Sequence, residues 1–108
     1  MTINCLGRVS VPTPGTPVPL STDPAAIASR LFFQVIPGLT GKTYVGIPGM
    51  AKATLASVAR VLWPNSSGGF SETFEVKAED GENSIRVMDY VVDADVAGEG
   101  LLVTYWTE

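Results

Sequence analysis

Eleven glycines and eight prolines, scattered along the whole chain, cut these 108 residues into short segments. Such punctuation favours strands joined by turns over long helices. The clearest case is Asp89–Glu108, which reads as two strands joined by a short glycine-containing loop. In its first arm Tyr90, Val92, Ala94 and Val96 share a side, while Asp93 and Asp95 point the other way. That is the period-two alternation of a half-buried strand. In the second arm Leu101, Val103 and Tyr105 continue the inward face, which leaves Leu102 and Trp106 outward beside Thr104. Large apolar groups on a face that should be wet call for a cover, either another part of the chain or a second protein.

The same texture runs through the rest of the chain. Residues 2–11 form a first strand, with Ile3, Cys5, Val9 and Val11 on one side and a disturbance at Gly7. Residues 12–19 hold four prolines, which cannot donate ladder hydrogen bonds, so they form an extended connector or edge. Ser29–Ile36 alternates Leu31, Phe33 and Val35 against Arg30, Phe32, Gln34 and Ile36. The turn Pro37–Gly41 joins it to Lys42–Ile47, where Tyr44 lies opposite Val45. Residues 50–63 fit both helical and strand spacing. The surrounding pattern selects a loop followed by a strand ending at Trp63-Pro64. Phe70, Phe74 and Val76 alternate with polar residues, an acidic turn occupies 79–83, and Ile85 and Val87 lead into the closing hairpin. The expected architecture is a single all-β domain over 1–108, an antiparallel β-sandwich of seven to eight short strands.

Chemistry is sparse in this composition. The absence of histidine removes Ser-His-Asp and Cys-His catalysis and histidine-bearing metal sites. There is no phosphate loop and no dinucleotide fingerprint. The carboxylates Asp89, Asp93, Asp95 and Glu99 match no calcium-loop spacing and read as solvated strand and turn residues. Nothing marks two acids as a glycosidase pair. The expectations are therefore no catalytic residue, no metal and no cofactor. The seven cations, at positions 8, 30, 42, 52, 60, 77 and 86, form no cluster on a chain of net charge −4, which argues against nucleic acid. No apolar run approaches the ~20 residues that cross a bilayer, and the first residues lack a signal-peptide pattern, so no membrane partner is expected. Cys5 is the sole cysteine and is expected to be a small buried apolar residue of the first strand.

Four stretches, in order, carry a resemblance. They are Gly7-Arg8-Val9-Ser10, Thr16-Pro17-Val18-Pro19-Leu20, Pro37 through Gly46, and Asp89 through Tyr105. Together they resemble small structural proteins of tailed bacteriophages, in particular the capsid cement, or decoration, proteins of short-tailed phages. The resemblance covers most of the chain, and the order of the stretches carries it. It implies a jelly-roll-like β-sandwich sitting on the outer surface of an icosahedral head assembled in a bacterial cytoplasm. Copies there, often dimers or small homo-oligomers, clamp neighbouring major capsid subunits.

Strand parity nominates the contact groups: Phe32 and Tyr44 on one outer face, Leu102 and Trp106 on another, with the proline-rich segment as an edge. Two other readings compete with this one. One is a carbohydrate- or receptor-binding module using Trp63 or Trp106 as a stacking platform; the other is a head–tail joining or tail-tube protein.

Overall fold

The computed structural model describes residues 2–64, 72–79 and 81–108. Ten strands follow one another: β1 (Thr2–Ser10), β2 (Val18–Pro19), β3 (Ile27–Ala28), β4 (Arg30–Val35), β5 (Thr43–Ala51), β6 (Ala56–Leu62), β7 (Thr73–Lys77), β8 (Ile85–Arg86), β9 (Val91–Ala94) and β10 (Gly100–Thr107). Among the described residues a single 3-10 turn, at Val87–Asp89, interrupts them, and Val87 is buried there rather than strand-like. Three of the ten strands are only two residues long, which is how the count exceeds the seven or eight read from the alternation. Among the described residues no helix is long and apolar enough to cross a membrane.

The pairing follows one rule. β1 pairs with β10, β2 with β9, β3 with β8, β4 with β7 and β5 with β6, every pair antiparallel. The chain is one long hairpin creased at residues 52–55. Two further ladders, β10 with β4 and β9 with β5, roll that hairpin into two four-stranded sheets of order β1-β10-β4-β7 and β2-β9-β5-β6. A doubled chain rolled in this way is a jelly roll, an all-β sandwich whose two sheets cover each other's inner faces.

The core lies between the sheets. Leu31, Phe33 and Val35 of β4 are buried, and so are Leu101 and Val103 of β10. Val45, Val92, Ala94 and Leu62 face them from the second sheet as part of the same cluster. The ring of Phe33 stacks on Phe74 of β7 at 5.9 Å between centroids. The strand at 56–62 ends just before Trp63-Pro64, as the strand–turn pattern around residues 50–63 leads one to expect. Phe70 and the loop at 65–69 lie outside the described residues.

Two inward–outward assignments differ from expectation. Cys5 is exposed, not buried. The register between β1 and β10 shifts between Cys5 and Gly7, leaving Leu6 as an extra residue, and a bulge of this kind reverses the parity of all that precedes it. Ile3 and Cys5 therefore point outward while Val9, beyond the bulge, packs against the core. Asp93 is buried, not solvated: the proline-rich segment crosses its face, and one carboxylate oxygen accepts hydrogen bonds from the Gly15 and Ala94 amides at 3.1 and 2.8 Å. Its other oxygen is buried without a hydrogen-bond partner among the described residues.

Gly46 of β5 packs directly against the backbone of β6. A Cβ there would overlap the backbone carbonyl of Ser57 and lie 2.7 Å from Met50 Sδ. Backbone cannot step aside as a flexible side chain can. Gly46→Ala is expected to lower stability by about 2–3 kcal/mol, read as a lower urea midpoint with an unchanged slope.

Candidate functional site

The register of the β1-β10-β4-β7 sheet fixes which side chains share its outer face. One row across the strands is Ile3, Trp106, Arg30 and Lys77; the next is Cys5, Thr104, Phe32 and Glu75. A third is Arg8, Leu102, Gln34 and Thr73. Among the described residues no other strand covers this face, because the two sheets pack through their opposite sides. Ile3 is 59% exposed and Leu102 37%, and Phe32 and Trp106 are half-buried.

The aromatic pair is held in a definite arrangement. Phe32 meets Trp106 edge-on, with centroids 6.4 Å apart and planes at 85°, the geometry that aligns one ring's positive edge with the other's negative face. The Arg30 guanidinium lies 5.0 Å from the Trp106 centroid, and its Nε is 3.3 Å from Glu75. Lys77 reaches the same carboxylate oxygen at 3.5 Å. Glu75 thus steers Arg30 across the indole. In the far row Arg8 donates to Ser10 Oγ and to the Gly98 carbonyl. The face carries three cations and one carboxylate around an apolar centre, although the chain as a whole is acidic. At one corner Ser29, Arg30, Lys77, Gly81 and Trp106 line an open depression of about 320 Å³.

Of the four residues nominated by parity, three come together here: Phe32, Leu102 and Trp106. Their grouping differs from expectation, since β4 and β10 are neighbours and present one face, not two. Tyr44 is elsewhere. It lies on the outer side of the other sheet and is only 5% exposed, packed with Met50 and Val91 and flanked by Val58 and Val61. Its hydroxyl donates to Asp95 Oδ1 at 2.9 Å, and Lys52 Nζ donates to the same oxygen at 3.1 Å and to the Ala94 carbonyl at 3.0 Å. Tyr44 is therefore buried in the creased hairpin, on the other sheet from the remaining three. Ile3 and Arg30 belong to the outer face but escaped parity reasoning. The bulge hides the first, and the second shows its role only beside Trp106.

Charge is managed around the loops. Burial pushes the Tyr44 hydroxyl up to about 12, helped by its hydrogen bond to Asp95 and by the charges of Asp95 and Asp93. Burial also opposes ionisation of Glu99, but hydrogen bonds from the Thr40 and Gly41 amides and the Thr40 hydroxyl outweigh it, with the charge of Arg8 adding to them. Its carboxyl is held below its ordinary value of 4.5. Among the described residues no three His, Cys, Asp or Glu side chains gather as a metal-binding group. The face thus combines half-buried aromatic rings and exposed aliphatic groups with arginine beside them, residue types enriched at the centres of protein interfaces.

Comparison of the chain with protein-family models, with curated proteins and with solved structures returns no match.

Two pH effects follow from these latches. A folded-state value above the unfolded one means that Tyr44 contributes stability fully below pH 10 and loses it as pH rises toward 12. That loss is on the order of 2–3 kcal/mol, and Tyr44→Phe should lack it in alkaline melts. Glu99 has the opposite sign. Its contribution is complete above pH 4.5 and fades as pH falls through its depressed value, so Glu99→Gln should flatten the acid limb of a stability–pH curve.

Proposed function

We propose that this chain is a capsid cement protein, a structural component of a phage particle that docks on the outer surface of an icosahedral head. The observation that carries the reading is the outer face of the β1-β10-β4-β7 sheet, where Ile3, Phe32, Leu102 and Trp106 stay accessible on one side of a folded roll. A jelly roll by itself selects no function. The ordered likeness of four segments to cement proteins, described above, supports the choice among docking roles. The partner is the major capsid protein, and the chain acts as a dimer or small homo-oligomer rather than as an enzyme.

The action is mechanical. Internal pressure strains the joints between capsid subunits, and a protein spanning a joint adds buried area that must be exposed before the subunits part. A stable contact of this kind buries about 1,000 Å² or more. Copies repeated over a closed shell hold one another in place, because each bound neighbour raises the effective concentration of the next contact. A glycan-binding role fits the face less well. Arg30 lies over the Trp106 ring and occupies a surface on which a sugar would stack.

The test is co-sedimentation of the purified chain with assembled heads of short-tailed phages. The intact protein is expected to pellet with heads. The Phe32→Ala/Trp106→Ala pair is expected to lose binding at least about tenfold while keeping its far-ultraviolet circular dichroism. A chain that stays in the supernatant, or a double variant that pellets as well as the parent, would overturn the proposal.

A further inference from the structure

Two open four-stranded sheets present four edges, and three of them are guarded against pairing. The β2 edge is two residues long and ends on Pro19. The β6 edge is irregular, opening on Leu55 and Ser57 in left-handed conformations at φ 60° and 57°. The β7 edge has five residues and carries Glu75 and Lys77. Short length, proline, distortion and charge are the devices that keep an edge from recruiting another strand. β1 carries only two of them, the bulge between Cys5 and Gly7 and a lone charge. It is nine residues long, contains no proline, has Arg8 as its single charge, and leaves Ile3, Cys5 and Leu6 exposed. Beyond it lies no other strand of the described chain.

We propose that β1 pairs antiparallel with β1 of a second copy, joining two sheets into one. An unpaired edge offers alternating N–H and C=O groups that only another extended strand can match. Three observations select a second copy as that strand. The bulge between Cys5 and Gly7 bends the edge and so disfavours a straight foreign strand, whereas a second copy carries the same bend. Antiparallel pairing sets each Arg8 beside the uncharged first half of its partner and keeps the two cations apart, which parallel pairing would not. Finally, the apolar part of the outer face runs to this edge, through Ile3 and Cys5, while the charges of Glu75 and Lys77 lie at the opposite one. Pairing across a two-fold axis would merge two apolar half-strips into one continuous strip. A nine-residue strand is about 30 Å long, so the ladder alone buries less than a standard interface and the dimer is to be sought at high protein concentration.

This assigns the surface used for self-association in the reading above and rests on that reading in nothing else, so its test needs no capsid. Cys5 is the sole cysteine and is exposed, on the outer face rather than on the free edge, so a nitroxide can be attached to the native thiol. Paired β1 strands bring two such labels within about 20 Å, given a strand spacing near 4.8 Å and a rise near 3.3 Å. The expected result at about 100 µM is a dimer mass for the unlabelled protein in sedimentation, with dipolar broadening in the labelled one. Ile3→Lys with Leu6→Lys should raise the dissociation constant at least about tenfold without changing the circular dichroism. Phe32→Ala, away from the edge, should leave the dimer intact even where head binding is lost. A monomer at that concentration, a dimer whose labels lie farther apart, or a dimer indifferent to the two lysines would each overturn the proposal.

Discussion

The ladder on the two sides of β10 holds this molecule together. On one side it pairs with β1 and on the other with β4, so the last strand of the roll bonds the first strand to the middle of the chain. Leu101 and Val103 are sealed in the core, while Leu102, Thr104 and Trp106 face outward. Neither function of β10 is available until most of the chain has been made and folded back. Contacts between Thr2 and Thr107 close a loop of nearly the whole sequence, which makes this topology intrinsically slow to fold compared with local hairpins. The β5–β6 hairpin, whose partners are close in sequence, is the natural early element.

Three carboxylates fasten segments outside the ladders, Asp93 and Glu99 through backbone amides and Asp95 through side chains. Asp93 takes the Gly15 amide and pins the proline-rich segment; Glu99 takes the Thr40 and Gly41 amides and pins the β4–β5 turn; Asp95 gathers Tyr44 and Lys52 beside the crease. Loops of a rolled hairpin have no ladder of their own, and their amides need acceptors. A carboxylate supplies two strong ones. The acidic composition is in part a consequence of this architecture, since several of the eleven acids bind the protein's own backbone.

Alternation made the main strands readable. Leu31, Phe33 and Val35 against Phe32 and Gln34, and Leu101 and Val103 against Leu102 and Thr104, point inward and outward as their spacing says. Parity is a property of a single strand. Which strands become neighbours is decided by how the hairpin rolls, so nothing in the residues themselves put Phe32 beside Trp106 and Tyr44 on the far sheet. Parity also fails where an extra residue enters. One bulge at Leu6 turned Ile3 and Cys5 outward, against a pattern that looked continuous with Val9 and Val11. Burial escaped for a third reason. Tyr44 and Asp93 do lie on an outer side, but Met50, farther along the same strand, packs on one together with Val91, and the Gly15 loop covers the other, and neither closure leaves a periodic trace.

The crease at residues 52–55 is the tip of the doubled chain. Every rung of the doubled chain lies on one side of it, so lengthening the chain there crosses no ladder and shifts no register. Ala53, Thr54 and Leu55 are exposed, and Lys52 anchors the base of the turn through Ala94 and Asp95. A foreign peptide spliced between Ala53 and Thr54 would ride at the tip of the doubled strand like a flag on a mast, displayed to solvent while the roll beneath it stays wound.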